Sequence, residues 1–433
     1  MLTGRQGWVG PGLLVAAGIG IWSTGNWVFF ILVGRLLGPR DYGLVAAVLS
    51  GCLVLYVLCS ALQPTLAASN RGDPPDAIFA LALRITAIAT VVVMAIGVAV
   101  MLLLGITTTG FPTAVMLGAV TVLSGIAVFP LTLGQLQGER RFGAYALGFI
   151  TVGIARPLAF LALWAVGVRV LAPILGTSVS WILGSIVVIV LARKALRAPP
   201  IDRTSHQWHA FRRSIVPNSA GVTAIAVLTN ADVITAKLVL SGREAGYFAA
   251  ASAISQGLFL VPQVFTTLVL PRLASQRARG QSSARLIAAG VGVSLAAGTV
   301  FVVLATPLGR QLMRVTYGPA FRSAGDLLPY YGAAMTCMGC TIILLYHQLG
   351  RHDFRYSWCL LCIAGVQVAA LALFARSPNA IITIDLICAL GAIAAHEVVT
   401  RRDQERVIDG LRLSAVLVGR RSRPDPPSEP NSG

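Results

Sequence analysis

The stretch Leu37-Gly-Pro-Arg-Asp-Tyr-Gly-Leu-Val-Ala-Ala47 returns later in the chain as Leu240-Ser-Gly-Arg-Glu-Ala-Gly-Tyr-Phe-Ala-Ala250. Two further stretches of the first half repeat in the same order, as Pro64-Thr-Leu-Ala67 with Pro271-Arg-Leu-Ala274 and Gln135 to Phe142 with Gln348 to Phe354. The separation between copies grows from the first pair to the last. An ancient duplication followed by a few insertions explains this order better than chance does, so the sequence predicts two homologous halves.

The composition indicates a membrane protein. The mean hydropathy is +0.78, 56% of the 433 residues are hydrophobic and 12% are charged, whereas soluble globular proteins carry about 25% charged residues. Apolar runs long enough to cross a bilayer as helices predict twelve spans, at 9–37, 42–67, 78–104, 112–136, 142–168, 170–191, 215–240, 245–270, 284–308, 324–349, 356–374 and 380–399. We expect an all-α polytopic fold of two pseudo-symmetric six-helix lobes.

The basic residues predict the orientation of these spans. With both termini cytoplasmic, 24 of the 34 Lys and Arg residues fall on the cytoplasmic side, nine fall outside and Arg156 lies within a span. Cytoplasmic loops carry such an excess of positive charge. The net charge of +18 is therefore interpreted as this bias and not as a nucleic-acid interface, and we expect a multi-pass protein of the inner (cytoplasmic) membrane.

The predicted organisation has four parts. Residues 1–196 form an N-terminal six-helix lobe and residues 214–400 a C-terminal one. A polar cytoplasmic linker, 197–213, joins them, and a basic, partly disordered cytoplasmic tail, 401–433, follows. An even number of spans in each half gives both lobes the same orientation in the membrane. In an apolar chain, two such lobes point to a transporter with its pathway between them.

Arg156 is the most unusual residue within a predicted span. Charge at bilayer depth is expensive, so such residues face the bundle interior and mark candidate pathways. The guanidinium offers a planar fork of donors suited to phosphate, and the adjacent Pro157 is expected to bend the helix. A purely structural arginine, paired with a carboxylate or with carbonyl groups, is the alternative that the sequence leaves open.

The seventh predicted span is the most polar. At 100° per residue, Ser219, Thr223, Asn230 and Lys237 share one face, while Asn218, Thr229 and Asp232 share another. A helix that is polar on two faces avoids lipid on both and is the best candidate to line a central cavity. Asp232 is a candidate for proton exchange during transport, with a satisfied structural carboxylate as the alternative, and Lys237 is near enough to the helix end to snorkel.

Other polar residues at membrane depth complete the set of candidates. Asn26 occupies in span one the place that the polar residues of span seven hold in the second half. Gln263 and Asp385 lie in spans eight and twelve. Hydrogen bonding between helices is a competing explanation for each of them.

The sequence offers no catalytic or cofactor signature. Cys337, Cys340, Cys359 and Cys362 have the spacing of a zinc site but lie in apolar helices, where reduced thiols acting as small core residues are the better interpretation. Neither a phosphate-binding loop nor a nucleotide fingerprint occurs. We expect no metal, no cofactor and no enzyme activity, and energy supplied by an ion gradient or by a partner.

The repeated stretches also carry a family resemblance. Leu36 to Gly43, Gln137 to Phe142, Asn230 to Lys237 continuing into Gly246 to Ser252, and Pro271 to Leu273 resemble the polysaccharide transporter family, which includes O-antigen flippases. This family belongs to the multidrug/oligosaccharidyl-lipid/polysaccharide exporter superfamily. The resemblance covers roughly residues 8 to 375 and implies a V-shaped pair of six-helix lobes that alternate between inward-open and outward-open forms.

The resemblance implies a polyprenyl-pyrophosphate-linked oligosaccharide as substrate, membrane lipids as surroundings, and glycosyltransferases and a polysaccharide polymerase as possible partners. Transferred by role, Arg156 would meet the pyrophosphate. The other substrate-binding candidates are Asn26, Asn218, Thr223, Asn230, Lys237 and Gln263. Asp232 and Asp385 are the candidates for ion or proton coupling.

Three rival functions share or mimic these features. A multidrug exporter has the same fold but more often carries an acidic residue in its first helix, and span one has none. A lipid II flippase usually has fourteen spans. The third alternative is a non-transporting scaffold in an envelope-assembly complex, a role that the charged cytoplasmic tail would suit. The sugar, the coupling ion and the oligomeric state are not determined by the sequence.

Overall fold

The computed structural model describes residues 9–60, 75–104, 112–194, 206–263, 284–351 and 353–401, together with Gln63, Leu66 and Phe265. The described residues form only helices and their connections. In chain order the α-helices are α1 Val9–Ser60, α2 Pro75–Leu104, α3 Thr113–Ile126, α4 Val128–Gly138, α5 Phe142–Ala165, α6 Ala172–Leu191, α7 His206–Val239, α8 Gly242–Ser255, α9 Ala284–Thr316, α10 Leu328–Gly350, α11 Arg355–Phe374 and α12 Pro378–Val399. Short 3₁₀ segments cover Gln256–Phe259 and Pro319–Asp326.

The helices account for the predicted spans. Ten described segments are long and apolar enough to cross a membrane. One of them is the kinked helix α1, where Gly38 adopts φ 74° and Pro39 follows, so that α1 supplies two spans. The apolar segment Phe79–Val92 within α2 corresponds to the third. The all-α membrane fold predicted from the sequence is confirmed.

The packing order of the helices repeats between the halves. In the first half α1 packs on α5, α5 on α6, and α6 on α3. In the second half α7 packs on α11, α11 on α12, and α12 on α10, with α9 beside α10 as α2 lies beside α3. This is the arrangement expected from two duplicated lobes. The exact lobe boundaries stay a prediction, and α7 already begins at His206, within the stretch assigned to the linker.

The duplicated turns of the two halves pack directly against each other. A Cβ on Gly43 would lie 2.7 Å from the amide nitrogen of Gly246, its counterpart in the second copy, and a Cβ on Gly246 would collide with the carbonyl of Pro39. Only glycine allows backbones to approach so closely. The second copy also caps α8, since Ser241 and Glu244 form a reciprocal capping box. The repeat therefore serves both as a helix start and as the contact between the lobes.

Parts of the sequence predictions lie outside the described residues. These include the repeated stretch Pro271–Ala274, most of Pro64–Ala67, and the tail beyond Arg401. Asn218 lies in α7, but its side chain is outside the described set.

Candidate functional site

Arg156 is held between three helices of the N-terminal lobe. It lies on α5 and is 9% exposed. Its Nε donates to Thr177 Oγ1 on α6 at 3.1 Å, and its Nη1 donates to Asn26 Oδ1 on α1. Thr177 in turn donates its hydroxyl hydrogen to the carbonyl of Pro173 at 2.7 Å. These bonds fix the plane of the guanidinium, and they bring the sequence candidates Arg156 and Asn26 together.

Glycines beside both partners make this geometry possible. Gly25 precedes Asn26, and the carbonyl of Gly153 on α5 occupies the space that a Cβ of Gly25 would need. Pro157 has no amide hydrogen, so this same carbonyl, four residues before it, lacks its usual helical donor. Gly176 precedes Thr177 and lies against the backbone of Phe160 in the same way. The three backbones therefore converge around Arg156.

Aromatic rings cover one face of the guanidinium. Cζ of Arg156 lies 4.1 Å from the ring centroid of Phe29 and 5.2 Å from that of Phe30. Phe29 packs edge-to-face on Phe160, with the ring centroids 5.8 Å apart. A cation over a ring face is stabilised by the ring quadrupole, and this compensates part of the cost of burying the charge. We call Arg156, Asn26, Thr177, Phe29 and Phe30 the arginine cluster.

The hydrogen-bond partners of Arg156 are neutral. Among the residues that the structure describes, no carboxylate is paired with it. A buried guanidinium with neutral partners keeps its positive charge available for a ligand, since no described residue of opposite sign is paired with it. Such a group is suited to bind an anion through charge-assisted hydrogen bonds, and the guanidinium fork matches phosphate geometry.

A pair of carboxyl groups is buried in the C-terminal lobe. Asp232 on α7 and Asp385 on α12 are both 0% exposed, and their side chains are close enough to interact electrostatically. Tyr331 on α10 donates to Asp232 Oδ2. Gln367 on α11 donates to Asp385 Oδ1 at 2.8 Å and to the carbonyl of Leu228 at 3.1 Å. We call Asp232, Asp385, Tyr331 and Gln367 the carboxyl cluster.

The proximity of Asp232 and Asp385 has a chemical consequence. An ionised carboxylate is an acceptor only, so two of them form a hydrogen bond only when a proton lies between them. Asp232 Oδ1 and Asp385 Oδ2 have no donor among the described residues, which leaves one oxygen on each side chain for this purpose. The pair can thus hold and release a proton, or bind a small cation in its place.

The other sequence candidates are placed differently. Asn230 is buried and donates to its own helix, at the Ala226 carbonyl and at Thr229 Oγ1. The hydroxyl of Thr223 is buried without a hydrogen-bond partner among the described residues, and Lys237 lies in the last turn of α7. Gln263 is half-buried at the end of the segment that follows α8. Among the described residues, neither Thr223 nor Asn230 is joined by a hydrogen bond to the arginine cluster or the carboxyl cluster.

Several residues of the two clusters were not candidates in the sequence. Thr177 and Gln367 read as ordinary polar residues of apolar helices, and Tyr331 sits at the start of a span, where tyrosine is common at the membrane interface. The proline at the start of α10 and α6 could have marked their first turns, but nothing in the sequence specifies which helices become neighbours.

The lobes are in contact between α1 and the end of α9. Arg35, near the end of the first segment of α1, donates to the carbonyls of Val315 and Thr316 at the end of α9, the latter at 2.6 Å. Tyr42 Oη lies 3.3 Å from Tyr317 Oη. We call these five residues the lobe clasp. Because Arg35 and Tyr42 belong to the first half and the others to the second, the clasp joins the two lobes.

Both clusters lie near the lobe clasp. Arg156 is close enough to Tyr42 for direct electrostatic interaction. Tyr331 lies in the first turn of α10, directly after the 3₁₀ segment whose Phe321 packs on Tyr42 with a centroid distance of 5.6 Å. Trp27 Nε1 donates to the Ala253 carbonyl of α8 at 3.3 Å and adds another contact between the lobes.

Solved structures share this fold over nearly the whole chain. A structure of the lipid II flippase MurJ in an inward closed conformation has a TM-score of 0.69 at 12% identity, covering 96% of this chain and 94% of that one. An inward-facing multidrug resistance MATE family transporter of the MOP superfamily has a TM-score of 0.67 at 13% identity, covering 93% and 99%. A MOP superfamily transporter from Pyrococcus furiosus reaches 0.63 at 13% identity, covering 89% and 94%.

The comparisons establish the fold and go no further. No family model matches the sequence, and no curated protein matches it either. The chain has the two-lobed fold that these flippases and exporters share, and the V-shaped six-plus-six arrangement expected from the sequence is consistent with it.

Proposed function

We propose that this protein moves a polyprenyl-pyrophosphate-linked oligosaccharide across the cytoplasmic membrane by alternating access of its two lobes. The observation that carries the proposal is Arg156, a buried cation whose partners are neutral. Pyrophosphate is the anionic group that such a lipid-linked sugar presents at membrane depth. The resemblance of the repeated stretches to O-antigen flippases and the shared fold with lipid and drug transporters support the same reading.

In this proposal the arginine cluster binds the pyrophosphate while the sugar passes between the lobes and the lipid tail remains in the bilayer. The lobe clasp closes one end of the route, and opening it exposes the other side. The carboxyl cluster couples the cycle to an ion gradient, because taking up or losing a proton changes the charge of a fully buried pair. Glycosyltransferases and a polysaccharide polymerase are the proposed partners. Both termini of the protein lie in the cytoplasm in this proposal.

Binding of the pyrophosphate can be measured on the purified protein. We expect a short-chain polyprenyl pyrophosphate to bind wild type, and Arg156→Gln to bind at least about 30-fold more weakly, since removing one partner of a buried charge pair costs roughly 2 kcal/mol or more. Arg169→Gln is the matched control, because Arg169 also lies over a ring, that of Trp164 at 4.9 Å, outside the arginine cluster. Equal affinity of wild type and Arg156→Gln would remove Arg156 from the substrate site.

In cells, Arg156→Ala is expected to abolish surface polysaccharide while the protein still inserts normally. Membrane abundance measured beside the polysaccharide separates loss of function from loss of protein. Normal polysaccharide with normal abundance would contradict the assigned role.

Export of a small cation is the second candidate, and the buried pair of Asp232 and Asp385 favours it, since a carboxylate can attract a cationic substrate. Solved multidrug transporters with the same fold are consistent with this alternative. A cationic dye that binds wild type, is lost in Asp385→Asn and is unaffected by Arg156→Gln would favour export over flipping.

A further inference from the structure

A continuous line of hydrogen bonds leads from the carboxyl cluster toward the other lobe. Tyr331 Oη is bonded to Asp232 Oδ2 on one side and lies 3.0 Å from Ser252 Oγ of α8 on the other. Gln256 Nε2 donates to Ser252 Oγ at 3.2 Å and to the carbonyl of Thr229 at 3.2 Å. The line therefore connects the acid pair with α8, which packs against α1 of the other lobe, as α7 also does.

We propose that the hydroxyl groups of Tyr331 and Ser252 form a proton path between the Asp232–Asp385 pair and the interface of the two lobes. This rests on the proposed ion coupling and names its route. Each hydroxyl can donate one hydrogen and accept another, which is what a relay requires. Gln256 donates to Ser252. The single hydroxyl hydrogen of Tyr331 can point to Asp232 or to Ser252, so Tyr331 has an acceptor on each side.

Burial changes along this line as a path would require. Asp385, Asp232 and Tyr331 are fully buried, and Ser252 is 2% exposed. Gln256 is half-buried. It lies one helical turn after Ala253, whose carbonyl accepts a hydrogen bond from Trp27 of the other lobe. The inner end of the line is closed to solvent, and the outer end reaches the region where the lobes touch.

The proton balance of one transfer is simple. A water molecule at the interface gives a proton to Ser252 Oγ, Ser252 passes its own hydrogen to Tyr331 Oη, and Tyr331 passes its hydrogen to Asp232. The carboxylate becomes a carboxylic acid and the water becomes hydroxide, or hydronium becomes water when the donor is already protonated. The reverse sequence returns the proton, and no heavy-atom bond forms or breaks.

The groups around the pair come from four helices. Asp385 on α12 and Tyr331 on α10 are the titratable side chains that face Asp232. Ser252 on α8 and Gln367 on α11 add neutral dipoles. Gln367 donates to both Asp385 and a backbone carbonyl. Its side chain is an amide, so it has no hydroxyl with which to relay a proton. Tyr331 is thus the group through which a proton reaches Asp232 from the interface side.

Infrared spectroscopy of the reconstituted full-length protein tests the path without any transported substrate. The carboxylic acid band of the pair is assigned by its loss in Asp232→Asn and Asp385→Asn, and its rate of hydrogen exchange is followed after transfer into heavy water. Tyr331→Phe and Ser252→Ala remove the hydroxyls while keeping the side chains close to their original size. Tyr356→Phe is the matched control, because Tyr356 is also fully buried but donates to the Ala392 carbonyl at 3.0 Å.

We expect exchange to slow about tenfold or more in Tyr331→Phe and in Ser252→Ala, with Tyr356→Phe within about twofold of wild type. Unchanged exchange in a folded Tyr331→Phe would overturn the path, and Ser252→Ala decides the matter when Tyr331→Phe does not fold. Equal slowing in Tyr356→Phe would also overturn it. Absence of an assignable acid band would refute the path together with the proposed proton coupling. Exchange as expected in a protein that does not bind pyrophosphate would refute only the proposed substrate.

Discussion

The lobe clasp makes a quantitative prediction about the interface between the lobes. Arg35 is exposed, yet its guanidinium donates to two carbonyls, those of Val315 and Thr316, in the last turn of α9. Carbonyls at a helix C-terminus lack intrahelical donors and carry the negative end of the helix dipole. Arg35→Ala leaves them to be satisfied by water, so the substitution removes stabilisation from the closed form and little from an open one.

The size of this effect follows from the hydrogen bonds involved. A hydrogen bond to a charged group contributes about 1.5–3 kcal/mol when well shielded. Because Arg35 is exposed, we discount the two bonds together to ~1.4 kcal/mol, which corresponds to a shift of about tenfold in the ratio of open to closed forms. Tyr42→Phe removes the contact with Tyr317, and we expect it to add a smaller shift in the same direction.

Distances between spin labels on the two lobes measure this ratio. Val166 after α5 and Phe374 at the end of α11 are suitable label sites, since they are 76% and 66% exposed, after replacement of the seven native cysteines. Arg310→Ala is the matched control, because Arg310 lies on the same helix as Thr316 but pairs with Asp326 of its own lobe at 2.6 Å. Distance distributions that are identical in wild type, Arg35→Ala and Arg310→Ala would refute the role assigned to the clasp.

Three further predictions concern the arginine cluster, the loop before α11 and the carboxyl cluster. Gly25→Leu is expected to lower the free energy of unfolding in detergent by roughly 1–3 kcal/mol, because the Gly153 carbonyl fills the space that a Cβ would need. Gly20→Leu on the same helix should be tolerated, since a Cβ there meets nothing within 4 Å. Equal melting temperatures of the two variants would contradict this packing. Asp353 accepts hydrogen bonds from Arg355, which keep the pKa of its carboxyl below the usual value. The stabilisation by this ion pair is therefore present at neutral pH and lost as the pH falls through that lowered pKa, so the melting temperatures of wild type and Asp353→Asn should converge in acid. A constant difference in melting temperature from pH 3 to 7 would speak against it. Gln367→Leu should destabilise the protein by ~1–3 kcal/mol, because it leaves Asp385 Oδ1 without its donor. Gln367→Glu should destabilise it more strongly, because it adds a third buried acid. Melting curves that neither variant changes would contradict the described carboxyl cluster.

The fold could be predicted from the sequence because its determinants are local or repeated. Apolar runs mark helices that cross a membrane whatever their neighbours are, and the two copies around Gly43 and Gly246 mark equivalent points of two halves. That these glycines would touch each other was not predicted, since the repeat alone indicates equivalence and not contact. The capping of α8 by Ser241 and Glu244, in contrast, depends on residues within the second copy alone.

The candidate site was predictable residue by residue but not as an arrangement. Arg156, Asp232 and Asp385 stand out because charge is rare within apolar spans. Their partners depend on helix neighbours, and the pairing of α7 with α12 and of α5 with α1 leaves no local signal. Tyr331 illustrates the limit, because a tyrosine at the start of a span is ordinary in sequence and acquires significance only from its bond to Asp232.

Translocation in proteoliposomes tests the central claim most directly. Purified wild type and Arg156→Gln are reconstituted in parallel with a fluorescent polyprenyl-pyrophosphate-linked oligosaccharide, and a membrane-impermeant quencher reports the fraction that has changed leaflet. We predict that wild type moves the lipid in a manner dependent on an ion gradient and that Arg156→Gln does not exceed protein-free vesicles. Equal translocation by both proteins, or none by wild type above protein-free vesicles, would contradict the account.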